Sequence, residues 1–272
     1  MPAKKNIIAH RLYAQGYFSE YLPFEFSTKD FIKLKNLSIE TTNKKPFSYT
    51  MNKNEKFQDR RIISIPEIGS YINAVKHIIS SDILSEIIIL NESNDKTLSK
   101  FFLKDGDIRT FANPYSKVIN SDKKINQDFI SNTILKLKKS IGSVGILKLD
   151  IANFYGSFYT HNITCIGKSS EWAEKNFQLD PIACDPKYTT LRNLDKVISN
   201  LNQKRTHGLL MGPLLSYIVA EGMMCTIDGE LTRELEDQLE KKLILLDLWM
   251  IMRFLSKKKQ IMELLYLFSQ KF

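Results

Sequence analysis

The run LKLDIANFYGSFYTH, Leu147 to His161, constrains this chain more than any other stretch. An apolar, strand-like segment from Ile146 to Leu149 delivers one carboxylate, Asp150, at its end, and an aromatic residue, Tyr155, follows a short turn later. A short apolar run of this kind fits a buried strand. A carboxylate at its end is placed to hold a hard cation such as Mg2+, which takes carboxylate and backbone oxygens and often the phosphate oxygens of a substrate. The same residues fit a plainer reading, a strand followed by a helix whose N-terminus Asp150 caps. One carboxylate does not build a cation site, so the segments that accompany it decide between the two.

Downstream, THGLLMGPLLSYIVAEGMMCTIDGEL, Thr206 to Leu231, runs from a glycine-proline turn into a long, mostly apolar helix. Together the two segments resemble motifs A and B of the reverse-transcriptase palm, most closely in prokaryotic enzymes of the abortive-infection, defence-associated kind. The family's first motif, D-I-x-x-F-Y-x-S-[IF]-Y-T-H, is matched by Asp150 to His161. Its second, T-x-G-[IL]-x-x-G-P-x-[LIV]-S-x-x-x-A-E, is matched by Thr206 to Glu221. RRIISIPEIGSYINAVKHI, from Arg60, resembles the fingers segment R-x-[IL]-x-[IV]-P followed by a helix, and YFSEYLPFEFST resembles the opening of such proteins. The resemblance extends to about Glu240.

The resemblance implies an α+β chain with right-hand polymerase fingers and an incomplete palm, an antiparallel sheet with packed helices, and no thumb. It implies an RNA-directed DNA polymerase acting in antiphage defence, with an RNA template, a DNA product and deoxynucleoside triphosphates as partners. Asp150 and the backbone of Ile151 would hold Mg2+, with Mn2+ as the alternative ion, in a two-metal arrangement for phosphoryl transfer. Tyr155 would pack under the sugar and exclude a 2'-hydroxyl; its plainer role is a core aromatic. Gly212 and Pro213 would let backbone approach the templating base pair, because glycine has no side chain in the way. Met211 stands where many reverse transcriptases carry glutamine. Arg60 and Arg61 would reach the triphosphate, since guanidinium groups pair with phosphate oxygens in a bidentate manner; the alternative is exposed arginine on a strand. His161 and His207 lack ligand spacing and read as structural residues or nucleic-acid contacts.

Composition agrees with such partners. The 272 residues carry a net charge of +9, a balance that suits a polyanion and also suits a merely lysine-rich surface. Three cysteines, Cys165, Cys184 and Cys225, show no CxxC spacing, which argues against a disulfide framework or a zinc site. Lys4 and Lys5 have no apolar run behind them, so a signal peptide is not supported and a cytoplasmic protein without membrane contact is expected. Nothing in the sequence sets the oligomeric state; a homo-oligomer stays open.

The chain divides into an N-terminal extension, 1–45; fingers, 46–145; a palm with both motifs, 146–242; and a tail, 243–272. Within the fingers, Phe47 to Met51 and Arg61 to Ile65 read as strands around a charged turn. Ser70 to Ile83 carries helical spacing, as does Asn126 to Lys139.

A polymerase palm needs a second acidic element, an aromatic-x-Asp-Asp hairpin a few dozen residues past the glycine-proline turn, and this chain contains no Asp-Asp pair. At that distance it reads LILLDLWMIMRFLSKKKQIMELLYLFSQKF. One reading is an amphipathic helix closing the domain; Leu243 to Leu255 is too short, and too interrupted by Asp247, to span a membrane. The genetic code supplies another. Tryptophan is encoded only by TGG and methionine only by ATG. Read from the third base of each codon, the Trp249/Met250 and Met250/Ile251 junctions therefore both give GAT, aspartate, whatever codons the neighbours use. The residue before the pair must then be Val, Leu or Met, the one before that Phe, Leu, Ser or Pro, and the one after Tyr, His or Asn. Arg-Phe-Val-Asp-Asp-Tyr is permitted. The tail thus reads as a frameshifted continuation, with the acidic motif lost between about Asp228 and Leu246 and Lys241-Lys242 as a candidate adenine run. On that reading the chain is inactive in isolation. Its palm sheet would lack the hairpin carrying the pair, leaving an unpaired strand edge. Two other classes stand beside the polymerase: a catalytically dead nucleic-acid-binding scaffold and, remotely, an unrelated helical interaction protein.

Overall fold

A computed structural model describes residues 2–19, 22, 44–52, 60–94, 101–102, 108, 133–138, 140–141, 145–151, 153–180, 182–239, 244–248 and 251–256. The chain is mixed α+β and divides into two compact units. One comprises Met1–Asn91, Phe101–Ala112 and Asn153–Thr226; the other comprises Glu92–Lys100, Asn113–Ala152 and Ile227–Phe272.

The first unit opens with a helix, α1 (Pro2–Ala14), followed by an antiparallel pair, β1 (Phe47–Asn52) and β2 (Arg60–Ile65), in register from Phe47↔Ile65 to Asn52↔Arg60. Pro66 ends β2 because it brings no N–H to a ladder. Helix α2 (Ile68–Ser80) then buries Tyr71, Ile72, Val75 and Ile78 at helical spacing. It stops earlier than the Ser70 to Ile83 spacing suggests. Asp82 takes a left-handed φ of 59°, a conformation that interrupts a right-handed helix, and α3 (Ile83–Ser93) restarts at once.

Helix α1 is built into this core. Ile8 and Leu12 are fully buried, the buried Tyr71 hydroxyl donates to the Leu12 carbonyl at 2.7 Å, and the Leu214 N–H donates to Gly16 O at 2.8 Å. A Cβ on Gly16 would stand 2.7 Å from the Leu214 Cβ, so only glycine permits the crossing. Tyr17 donates to the Pro66 carbonyl at 2.6 Å. Burial, with the Glu67 carboxylate nearby, pushes the Tyr17 hydroxyl up to about 12, and burial holds Tyr71 well above its usual range. The LPFEFST stretch lies outside the described residues, apart from Leu22.

Among the described residues, further helical elements of this unit are α4 (Phe154–Ser157), a 3-10 helix (Thr160–Cys165), α5 (Ser170–Phe177) and α6 (Pro186–Leu201). Their starts follow capping chemistry. Ser169 accepts from Trp172 N at the head of α5. At α6, Asp185 accepts from Lys187 N while Pro186 occupies the first turn. The long α7 (Leu214–Leu239) contributes its fully buried first turns, Leu214, Leu215 and Ile218, to this unit.

The second unit holds a three-stranded antiparallel sheet of β3 (Gly145–Asp150), β4 (Ile244–Leu248) and β5 (Ile251–Ser256), in the order β3-β5-β4. Its register runs from Gly145↔Ser256 to Asp150↔Ile251 on one side of β5 and from Ile244↔Leu255 to Leu248↔Ile251 on the other. This corrects the expectation that the sheet lacks a hairpin at this place, and it equally replaces a closing helix over 244–256. The physical reason is permissive. Strands of this length need a short apolar run, which ILLDL and IMRFLS both are, and pairing gives the backbone groups of β3 hydrogen-bond partners. Of the helix expected over Asn126 to Lys139, residues 133–138 are helical and 126–132 lie outside the described residues. Among the described residues no helix is long and apolar enough to cross a membrane.

Candidate functional site

Three segments far apart in sequence meet in the first unit. The β2 residue Ser64 donates its N–H to Met211 O at 2.8 Å. Leu209 N donates to Tyr155 O at 2.7 Å, Gly208 N to Phe158 O at 2.8 Å, and Thr160 N to Thr206 O at 2.8 Å. The segment ending in α4, the glycine-proline turn and the strand that carries Arg60 and Arg61 are thus laced together by main-chain bonds. These bonds are insensitive to side-chain identity, so the assembly depends on backbone shape.

Gly212 provides that shape. Its φ is 131°, and a Cβ there would lie 3.0 Å from both Ile63 Cγ2 and Ser64 O. A side chain would be strained and would press on β2. The glycine therefore has a fold-level reason to be where it is, beside any approach to a base pair. Met211 is half-buried, Arg61 is half-buried on β2, and Arg60 begins that strand opposite Asn52. Tyr155 is 7% exposed, with its ring edge-on to Tyr217 at 5.5 Å and to Phe154 at 5.5 Å. In this arrangement it is a packed aromatic.

Beside this junction lies a cluster that motif spacing alone did not reveal. Tyr159 pairs with His207 in an isolated antiparallel bridge. Its ring stands 5.3 Å from that of His207 and 4.8 Å, at 90°, from that of His161. All three residues are exposed, and Lys204 and Arg205 are exposed in the adjoining turn. His161 Nδ1 lies 2.6 Å from Asp195 Oδ2. Asp195 is 4% exposed, and its other oxygen has no hydrogen-bond partner among the described residues. An exposed ring ledge next to cations is the surface form that stacks unpaired bases and tracks a phosphate chain. Sequence could have pointed to it through Tyr159-x-His161 facing Thr206-His207, had the bridge between them been known.

Glu221, the last residue of the second motif, is 5% exposed and accepts from the Nδ2 of Asn91, itself fully buried. Asn91 Oδ1 accepts from Phe102 N at 3.3 Å. This glutamate ties α3 to α7 and has a structural role.

Asp150 and Ile151 belong to the second unit. Asp150 ends β3 directly opposite Ile251, and Ile251 also pairs with Leu248. A hard cation needs several oxygen ligands, and the residues from Leu248 to Met252 supply no side-chain oxygen beside Asp150. Among the described residues no group of three or more His, Cys, Asp or Glu is placed to hold a metal ion. No protein-family model matches the chain, and no curated protein matches it.

Proposed function

We propose that this chain is the fingers and palm portion of an RNA-directed DNA polymerase of the abortive-infection type, and that in its present form it binds nucleic acid without extending it. The observation that carries this reading is the convergence in the first unit. The three segments that resemble the fingers strand and the two palm motifs are the ones joined by the bonds from Ser64 to Met211, from Leu209 to Tyr155 and from Thr160 to Thr206. Chance likeness in three separate stretches gives no reason for them to meet. The basic surface and the ledge of Tyr159, His161 and His207 suit a single-stranded polyanion. Deoxynucleoside triphosphates would meet Arg60 and Arg61.

The apolar residues opposite Asp150 favour a second reading, a nucleic-acid-binding scaffold without catalysis in any form. Fluorescence anisotropy with single-stranded RNA and DNA is the first test. Binding whose log affinity falls linearly with log salt is expected; absence of binding at low salt overturns both readings. Magnesium-dependent incorporation of labelled deoxynucleotides is the second, with none expected from this chain. Incorporation by the chain that disappears in Asp150→Asn would show that it is an active polymerase and overturn the claim of inactivity.

A further inference from the structure

We infer that the ledge of Tyr159, His161 and His207 cleaves single-stranded RNA by transesterification, with His161 taking the proton of the attacking 2'-hydroxyl and His207 giving one to the leaving 5'-oxygen. It rests on the reading above for one element, the binding of single-stranded RNA at this ledge, and adds a reaction that neither a polymerase centre nor a passive scaffold contains.

The first observation is an oriented imidazole. His161 Nδ1 lies 2.6 Å from Oδ2 of the buried Asp195, while the His161 side chain itself is half exposed. A carboxylate only accepts, so Nδ1 carries the hydrogen and Nε2 is left as the nitrogen able to take a proton. Asp195 Oδ1 has no hydrogen-bond partner among the described residues. A buried carboxylate in that state is stabilised by positive charge beside it, and the imidazolium formed when His161 accepts a proton supplies that charge. Asp195 is thus a positioning residue for His161.

The second is another imidazole at working distance. The ring centroids of His161 and His207 stand 4.8 Å and 5.3 Å from that of Tyr159, which places the two imidazoles at most about 10 Å apart. A span of that order holds one phosphodiester with a hydrogen bond of about 3 Å on each side. Thr160 N donates to Thr206 O and Gly208 N to Phe158 O, both at 2.8 Å, and these main-chain bonds flank the Tyr159–His207 bridge and fix the spacing.

The third is what adjoins the pair. The exposed Tyr159 ring, next to both imidazoles, offers a face for a base. Lys204 and Arg205 are exposed in the turn leading to His207, and that turn is tied by Lys204 N to Ser199 O at 2.8 Å and by Arg205 N to Asn202 O at 3.0 Å. Cations in this place balance the charge that builds on the phosphoryl oxygens. In the step itself, the 2'-oxygen bonds to the adjacent phosphorus as its proton passes to His161 Nε2. The bond from phosphorus to the 5'-oxygen breaks, and protonated His207 gives that oxygen its proton. A 2',3'-cyclic phosphate and a 5'-hydroxyl result, and no external reagent is consumed.

The test uses the full chain and a fluorescein-labelled single-stranded RNA in EDTA. Cleavage to a 2',3'-cyclic phosphate end, read by denaturing gel and mass spectrometry, is expected, while 2'-O-methyl RNA of the same sequence binds and stays whole. His161→Ala and His207→Ala should each slow cleavage by about 10²-fold or more. Asp195→Asn should lower kcat by about tenfold or more with KM unchanged. An RNA whose leaving 5'-oxygen is replaced by sulfur, which departs without a proton, should restore the rate of His207→Ala and leave His161→Ala slow. The His207 side chain is exposed, so this variant reports on chemistry even where His161→Ala or Asp195→Asn lowers stability, as followed by circular dichroism. Cleavage that survives His207→Ala, or a sulfur leaving group that does not rescue it, overturns the inference. RNA that stays whole while its 2'-O-methyl form binds also overturns it, and leaves the binding reading standing. Absence of binding at low salt overturns both.

Discussion

The two units are held to different standards by their own residues. In the first, several positions are specified by their surroundings: Gly16 and Gly212 by lack of space, Asn91 and Glu221 by each other, while the main-chain bond from Ser64 to Met211 fixes backbone shape. In the second, β4 and β5 complete a sheet with β3 through runs that need only be short and apolar. Building a strand asks for a pattern, whereas building a site asks for particular atoms. A sheet can therefore form around Asp150 whatever chemistry its neighbours carry.

The sharpest way to break this comparison is to damage the specified unit. Leu84→Ala or Leu214→Ala, at positions without solvent exposure, should cost about 2–5 kcal/mol, measured by urea denaturation. A loss below about 1 kcal/mol would mean that the first unit is as permissive as the second. Next comes Gly212→Ala, which combines a φ of 131° with 3.0 Å approaches to Ile63 and Ser64. We expect about 2–3 kcal/mol from strain and overpacking, with hydrogen exchange at the Ser64 amide accelerated. Unchanged protection of that amide would show that the junction does not depend on the glycine.

Tyr159→Ala should weaken single-stranded RNA binding by about 1–2 kcal/mol while leaving the salt slope unchanged, because a stacking contact releases no counterion. Lys204→Ala is the converse, lowering the slope. Alkaline pH gives a smaller effect, carried by two tyrosines of the first unit. Folded-state values of Tyr17 and Tyr71 are raised, so the stability they contribute is complete below pH 10 and is lost as pH rises, through about 12 for Tyr17. Tyr17→Phe should flatten that decline and cost about 1 kcal/mol at neutral pH through the bond to Pro66. The smallest effect is in the second unit: millimolar Mg2+ should shift the melting temperature of this chain by less than about 1 °C, because a ligand stabilises only in proportion to its binding. A larger rise that Asp150→Asn removes would restore metal chemistry to the present sequence.

Much of the first unit was legible because its signals are local. The strands around the charged turn, the Pro66 stop and the α2 stripe follow from alternation, proline chemistry and 3.6-residue spacing. Helix α1 was not legible: its apolar residues are few, and its place comes from contacts to Tyr71 and Leu214, far along the chain. The ring ledge was missed for the same reason, since Tyr159 and His207 meet through a bridge between distant segments. The hairpin of β4 and β5 was missed for the opposite reason. A tail without its expected acidic residues pointed to a closing helix or a frameshifted continuation, although strand formation never required those residues.

The Ser64 to Met211 bond has a kinetic consequence. The β1–β2 hairpin is local in sequence and could begin to form early, yet an isolated two-stranded hairpin is marginally stable in water. Its completion waits for a residue about 150 positions downstream, and the search for such a distant partner slows folding. On the ribosome, the Ser64 N–H therefore meets its Met211 partner only after the glycine-proline turn has left the exit tunnel.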